Sequence, residues 1–407
     1  HLLLTNPDVK GGLVGFGLEE IDFVFIEELI SPPAEMGDLL GSEAVEWPCK
    51  GRPHTHAFLY EIVSNWRSGA DVDKFDYFTR DAFYLGLKSS FDARRYIQSL
   101  RVLRDKRCSV IVAGAEQNLF TLSPNEKQLD SLRMDAADTR AGLHRKAYKH
   151  KTSLKLDYHM RRVLELMEPH IKIPGKEGRM MTMSEAAVEF DMEAFQYVDD
   201  SLVRQMLRTP MPELKAAQDE YHRRFSRRQI AIYVEEVELE APMNFNKVRA
   251  ELVAEYNERR CQPEHGQAKE LDVSEVILQP VVLGHGMKSE DPAKNILFHN
   301  SKQLARYEEQ QGSALKIYDC PDVVRHDHGA PLRKRYRVIC FFDPELPMGS
   351  QYTKEDSFNL LVTVFDGYMQ SHKGRLVRMG GTPDQSQKKR RLRLQDSAEE
   401  SLFVSNE

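Results

Sequence analysis

Over the first 170 residues or so, apolar side chains recur at spacings of three and four between proline stops, a period only helices satisfy. Leu18 to Ile30 carries Leu18, Ile21, Phe25 and Leu29 before Pro32 and Pro33 end the run. Further helices are expected from Phe58, over Lys74 to Leu85 and over Asp92 to Leu103, with the longest from Thr139 to Glu168. Trp47 to Pro53 is a Gly/Pro loop, and the polar stretch from Leu119 to Ala137 reads as an inserted surface loop. After Pro210 the pattern changes. A short charged helix over Pro212 to Arg224 precedes β-branched runs at Gln229–Leu239, Val273–Leu283, Lys316–Asp319 and Arg335–Phe342, and a helix over Lys354–Gln370 closes the pattern. The expectation is a mainly α protein: a helical body over 1–210, a smaller α+β lobe over 211–373, and a disordered, charge-segregated tail over 374–407.

A chain of 407 residues is long enough for two or three domains, and 41% hydrophobic content can fill their cores. Lys and Arg number 57 against 63 Asp and Glu, a net charge of −6, which argues against a wholly basic nucleic-acid binder. No apolar run approaches the roughly 20 residues of a membrane helix, so no membrane partner is expected. The five cysteines are scattered with no CxxC pair, pointing to a reducing compartment, nucleus or cytoplasm. The chain begins at His1 without a signal-peptide pattern and reads as a piece whose upstream part is missing.

Two stripes carry chemistry. Asp73, Tyr77 and Asp81 stand at i, i+4 and i+8, with Lys74 beside them, so one helix face gathers two carboxylates, a phenol and an ammonium. That set suits a cation, a phosphate and a sugar; a solvated helix face with an acidic cap is the alternative. Arg140, His144 and Tyr148 repeat the spacing, while Lys146 and His150 form a second cationic pair about 200° around the same expected helix. Two cationic faces suggest two anion sites; the alternative is an ordinary basic helix.

In order, FLYEIVSN, the Gly69 turn, DVDKFDYFTRD, FDARRYI and TRAGLHRKAYKHK, with WPCKGRP and DMEAF, resemble the SAM and HD domain-containing deoxynucleoside triphosphate triphosphohydrolases. The resemblance runs with gaps from His1 to about Met287. It implies an HD-domain-type helical body that hydrolyses dNTPs to deoxynucleoside and intact triphosphate, lowers dNTP pools and restricts viruses that need them. It implies a divalent metal (Zn, Fe, Mn or Mg) with Asp73 as its last ligand. Lys74, Arg140 and His144 would meet the triphosphate, Tyr77 and Asp81 the 3′ side of the deoxyribose, and Tyr148 the 2′ carbon. GTP or dGTP, with dNTPs, would act as activators between subunits of a dimer or tetramer. For these, Asp92 and Arg95 would read the base, and Asn118, Lys146, His150, Lys151 and Arg228 would line the activator phosphates and the subunit junction.

The chain also departs from the family. The paired histidine-aspartate motif and the catalytic histidine are absent, so no catalytic residue is assigned and the chain alone is expected to be inactive. His326-Asp327-His328 lies in a Gly/Pro-bounded loop and is read as a decoy. A basic pair expected before Asn118 falls on Val112 and Gly114, and lysines expected further on fall on Ile232 and Glu290, which predicts weakened activator binding. In the tail, Thr382 with Pro383 forms a minimal kinase site, and Arg390 to Leu392 resembles a cyclin-docking motif inside a basic cluster suited to nuclear import or single-stranded nucleic acid. A non-catalytic nucleotide- or single-strand-binding scaffold of the same fold is the rival reading.

Overall fold

Part of the three-and-four spacing becomes helix, and polar side chains cap several of those helices. In a computed structural model of the chain, residues 7–41, 43–239, 243–265, 267–283, 293–302, 304–305, 335–344 and 352–372 are described. Contacts divide it into two units, His1–Gln229 with Leu283–Lys334, and Ile230–Val282 with Arg335–Glu407. The division falls at 229/230 rather than 210/211, and the chain returns to the first unit before completing the second. The fold is mainly α with small sheets. Among the described residues no helix is long and apolar enough to cross a membrane.

In the first unit, α1 (Pro7–Gly15) and α2 (Glu20–Ile30) precede β1 (Val45–Glu46) and a 3-10 helix over His54–Glu61. Then come α3 (Val72–Tyr84), α4 (Ala93–Gln98), β2 (Arg101–Val112), β3 (Ala115–Ser123), α5 (Ala136–Leu143) and α6 (Lys151–Met167). Asp71 caps α3 by accepting from the Lys74 amide, and Phe75, Phe78 and Ala82 bury its inner face. Those side chains share a core with Phe91, Tyr96, Leu132, Leu143 and Phe298. A second core lies under α6, beneath β4 (Ile173–Pro174), β5 (Met180–Met181), α7 (Met183–Val188), α8 (Met192–Phe195), α9 (Ser201–Arg208) and α10 (Lys215–Tyr221).

The second unit is an α+β lobe. Its sheet has the order β6–β8–β7, from β6 (Ile232–Leu239), β7 (Val276–Leu283) and β8 (Arg335–Phe342). Val234, Val237, Val338, Cys340 and Phe342 of that sheet share one core with α11 (Phe245–Arg260) and α12 (Lys354–Ser371).

Four expectations fail in the first unit, the first being the helix over Phe58 to Asn65, which is a 3-10 helix over His54–Glu61. The stretch from Leu119 to Ala137 is not a surface loop: Leu119, Phe120, Leu129 and Leu132 are buried, and β3 pairs antiparallel with β2. Its Ser123 and Asn125 side chains bond to backbone: Ser123 Oγ donates to the Leu297 carbonyl at 2.6 Å and Asn125 Oδ1 accepts from the Lys127 amide at 3.0 Å. The helix expected over Asp92 to Leu103 stops at Gln98, because β-branched and apolar positions from Val102 onward are taken by the hairpin. The long helix over 139–168 is two helices, broken after a π turn at His144–Tyr148 where Lys149 leaves helical geometry. The strand expected at Lys316–Asp319, the motif at His326–His328 and the tail lie outside the described residues.

A buried charge cluster ties these elements together. The Arg67 side chain is 2% exposed; its Nε donates to Glu61 at 3.1 Å and its Nη1 to Asp105 at 2.7 Å. Glu61 also accepts from Thr121 Oγ1 and from the Leu122 amide of β3, while Arg107 binds both Asp105 oxygens at 2.9 Å. Burial pushes the Glu61 carboxyl up, against the pull of Arg67. Asp105 is held below the usual carboxylate range: burial opposes this, but two guanidinium groups outweigh it. Arg67→Met should therefore destabilise the first unit by about 3–5 kcal/mol in urea unfolding, since Glu61 would remain buried without its cation. A loss under about 1 kcal/mol would show that the cluster is dispensable.

Candidate functional site

Asp71 to Tyr84 and Ala136 to Tyr148 bring both sequence stripes to one place. Tyr148 donates its hydroxyl to Asp81, whose other oxygen accepts from Arg80 Nη1 at 2.8 Å. The Tyr148 ring meets Tyr77 edge-on at 6.3 Å and His144 at 5.0 Å. The Arg140 guanidinium hydrogen-bonds Tyr77. Five of the residues expected to hold substrate (Tyr77, Asp81, Arg140, His144 and Tyr148) thus form one half-buried cluster between α3 and α5.

The cluster exists because each helix buries one face and leaves the next one polar. α3 sinks Phe75, Phe78 and Ala82, which turns Asp73, Tyr77 and Asp81 toward its flank. α5 sinks Ala137, Thr139 and Leu143, and the π turn that follows carries His144 and Tyr148. Such wide turns are frequent at functional sites because they re-aim side chains that a regular helix would point elsewhere.

Burial sets the protonation states. It pushes the Tyr77 hydroxyl up despite the charge of Arg140, and pushes Tyr148 up with the help of Asp81. His144 goes the other way: burial first, then Arg140 and Lys149, lower it to about 4. His144 is therefore a neutral imidazole at pH 7, a hydrogen-bond donor and not a cation.

Lys74 and Asp73 sit at the start of α3. Lys74 Nζ lies 3.1 and 3.2 Å from the two oxygens of Asp71, so an incoming phosphate would compete with that carboxylate. Asp73 is exposed on the first turn. Among the described residues no group of three His, Cys, Asp or Glu side chains is placed to hold a metal ion. Asp73 alone does not make the divalent-metal site the family resemblance implies.

The activator residues are dispersed. Asp92 caps α4 by accepting from the Arg95 amide at 3.0 Å, and both are exposed. Asn118 pairs with Ser109 across the β2–β3 hairpin. Lys146 lies in the π turn, but His150 has left that helix: it caps α6, accepting from the Thr152 amide, with Lys151 the first residue of α6. The 200° offset expected on one continuous helix therefore does not apply. Arg228 is exposed and left-handed, φ 53°. Gly114 has a local cause: with Ala113 at φ 50° and Gly114 at φ 76°, these two residues make the tight turn joining β2 to β3. Glu290 and the tail residues Thr382, Arg390 and Leu392 lie outside the described residues.

Sequence reading missed Asp71, Arg80 and Asp76. The signal for the last two was present, since Asp76 and Arg80 stand at i and i+4, and Arg80 Nε meets Asp76 at 2.9 Å.

The depressed His144 gives a pH signature. The unfolded chain takes up a proton near pH 6.5 and the folded one near 4, so His144 contributes a loss of stability as pH falls through that window. The difference in urea midpoint between wild type and His144→Gln should narrow, or change sign, from pH 7 to pH 4.5. A His144 imidazole that titrates near 6.5 by NMR would remove this account.

No protein-family model matches the chain. It is 33% identical over 328 residues to the deoxynucleoside triphosphate triphosphohydrolase SAMHD1 of Mus musculus, covering 77% of this chain and 47% of that relative. With the Homo sapiens enzyme of the same name it shares 32% identity over 305 residues, 74% of this chain and 45% of the relative. The Dictyostelium discoideum homolog is 25% identical over 297 residues, 72% and 48%. The chain spans about half the length of the curated relatives it matches.

Proposed function

The chain belongs to the HD-domain deoxynucleoside triphosphate triphosphohydrolase family, and on that premise we propose that the protein hydrolyses dNTPs to deoxynucleoside and intact triphosphate. One observation carries the reading to this chain: Tyr77, Asp81, Arg140, His144 and Tyr148 form a single cluster of sugar-sized and phosphate-directed groups.

In this reading the 3′-hydroxyl bonds to Asp81 and Tyr77, and the Tyr148 ring lies against C2′. Arg140 and Lys74 face the phosphates, and neutral His144 donates to a phosphate oxygen. Water attacks the α-phosphorus and the bond to the 5′ oxygen breaks. The cations offset the charge that grows on the phosphate oxygens. No step here is routed through a metal, because among the described residues no group of three His, Cys, Asp or Glu side chains is placed to hold one.

Activation by GTP or dGTP and assembly into tetramers belong to the same reading. We propose that both are weaker here than in the family, since Val112 and Gly114 bring no cation to the activator side. Nuclear residence and restriction of viruses remain proposals of the same kind.

The chain by itself is expected to release no phosphate from dGTP. Supplied with the family's paired histidine-aspartate segment, the protein incubated with dGTP and a divalent metal should release triphosphate with no pyrophosphate or orthophosphate, read by phosphorus NMR. Binding without release of any phosphate would support the scaffold instead. Tyr148→Ala should admit GTP, reducing the preference for dGTP by up to about 10²-fold, the reach of exclusion by shape. An unchanged preference would take Tyr148 out of this role.

A further inference from the structure

Asp81 is the residue on which the sugar reading turns, and its carboxylate is not left to find its own orientation. One oxygen accepts from Tyr148 and the other from Arg80 Nη1 at 2.8 Å. Arg80 is in turn fixed from one turn back, its Nε 2.9 Å from Asp76 Oδ2. The side chains of Arg80 and Asp76 are 54% and 64% exposed, so neither is part of the core. The order of contacts is Asp76, Arg80, Asp81, Tyr148, and it ends on the ring that meets Tyr77 and His144.

We infer that Arg80 is a positioning residue for sugar recognition, holding the Asp81 carboxylate so that one oxygen faces the Tyr148 hydroxyl and the incoming 3′-hydroxyl. The inference rests on the dNTP reading and assigns to that site a residue outside the sugar-contacting set. A carboxylate held by one donor only can turn about its side-chain torsions. With Arg80 engaged, the free rotation is removed before substrate arrives, and the Tyr148 ring is kept where it meets C2′. Loss of Arg80 thus acts at two points: the 3′-hydroxyl finds a less ordered acceptor, and the 2′ position is less tightly closed. The phosphate-directed groups, Arg140, His144 and Lys74, do not bond to Arg80 in the structure. The chemical step is therefore little affected.

The test compares wild type with Arg80→Gln, Arg80→Lys and Asp76→Asn, using dGTP and GTP as probes in equilibrium binding and, with the family's paired histidine-aspartate segment supplied, in turnover. Arg80→Gln should weaken dGTP binding and raise its KM about five-fold, leave kcat within about two-fold, and lower the dGTP-over-GTP preference. Arg80→Lys should restore most of the binding, because an ammonium can still reach Asp81. Asp76→Asn should move the same quantities in the same direction by less. The Arg80→Gln effect should also shrink as salt rises from 50 to 500 mM, about the range over which screening removes an exposed ion pair. An Arg80→Gln protein with wild-type KM and sugar preference overturns the inference and leaves the dNTP reading standing. So does one that loses kcat alone, or one that Arg80→Lys fails to rescue. A wild-type protein that binds neither nucleotide, or binds both equally, overturns the dNTP reading and this inference with it.

Discussion

The bonds made by one buried guanidinium decide where the site can be. Arg67 joins the 3-10 helix through Glu61 and β2 through Asp105, and its carbonyl accepts from Asn295 Nδ2 at 3.3 Å. The loop that carries it is closed on itself: Asn65 accepts from the amides of Arg67 and Ser68 and donates to the Ala70 carbonyl, and Gly69 turns at φ 66°. That loop ends on Asp71, the cap of α3. Four carboxylate oxygens and two guanidinium groups, all in or near the core, thus define the first turn of the helix that bears Asp73, Tyr77, Arg80 and Asp81. A buried ion cluster is a poor source of net stability, but it specifies one geometry well, because every alternative leaves a charge unpaired.

A second constraint sits where the loop at Gly51 passes close to Phe25. A Cβ on Gly51 would lie 2.4 Å from the Phe25 Cα, so the WPCKGRP loop can approach α2 only with glycine there. Glu28 then accepts from the amides of Lys50 and Gly51 at 2.7 and 2.9 Å and from Tyr60 at 2.7 Å. The motif's sequence peculiarity is explained by packing, without a ligand.

Helix spacing made α2, α3 and α12 legible in the sequence, because each buries one stripe; α11 went unread. The site stripes were legible for the same reason, since residues at i, i+4 and i+8 stay together whatever the helix packs against. What misled was polarity. Ser123 and Asn125 look like loop residues, yet they are buried because Leu297, His299 and Ser301 supply their partners from 174 to 176 residues away. A local window cannot show a partner that distant. The break after Tyr148 was hidden similarly: His150 reads as another basic helix residue until its ring is seen capping the next helix. Asp81 could be read from spacing, and Arg80 could have been, because it stands at i+4 from Asp76; what spacing could not show is that its other nitrogen reaches Asp81.

The return of the chain to the first unit between β7 and β8 bears on how the protein is made. β8 is the middle strand of the second unit's sheet and is also its last to be synthesised. Until it emerges, no other described strand joins β6 and β7, and the described residues within 293–305 must pack on a body whose other residues ended at Gln229. Each unit therefore closes through contacts distant in sequence, a topology that slows folding and exposes strand edges in the meantime. A ribosome pausing between Leu283 and Arg335 would hold a nascent chain with two unpaired strands, the state in which chaperone protection is worth most.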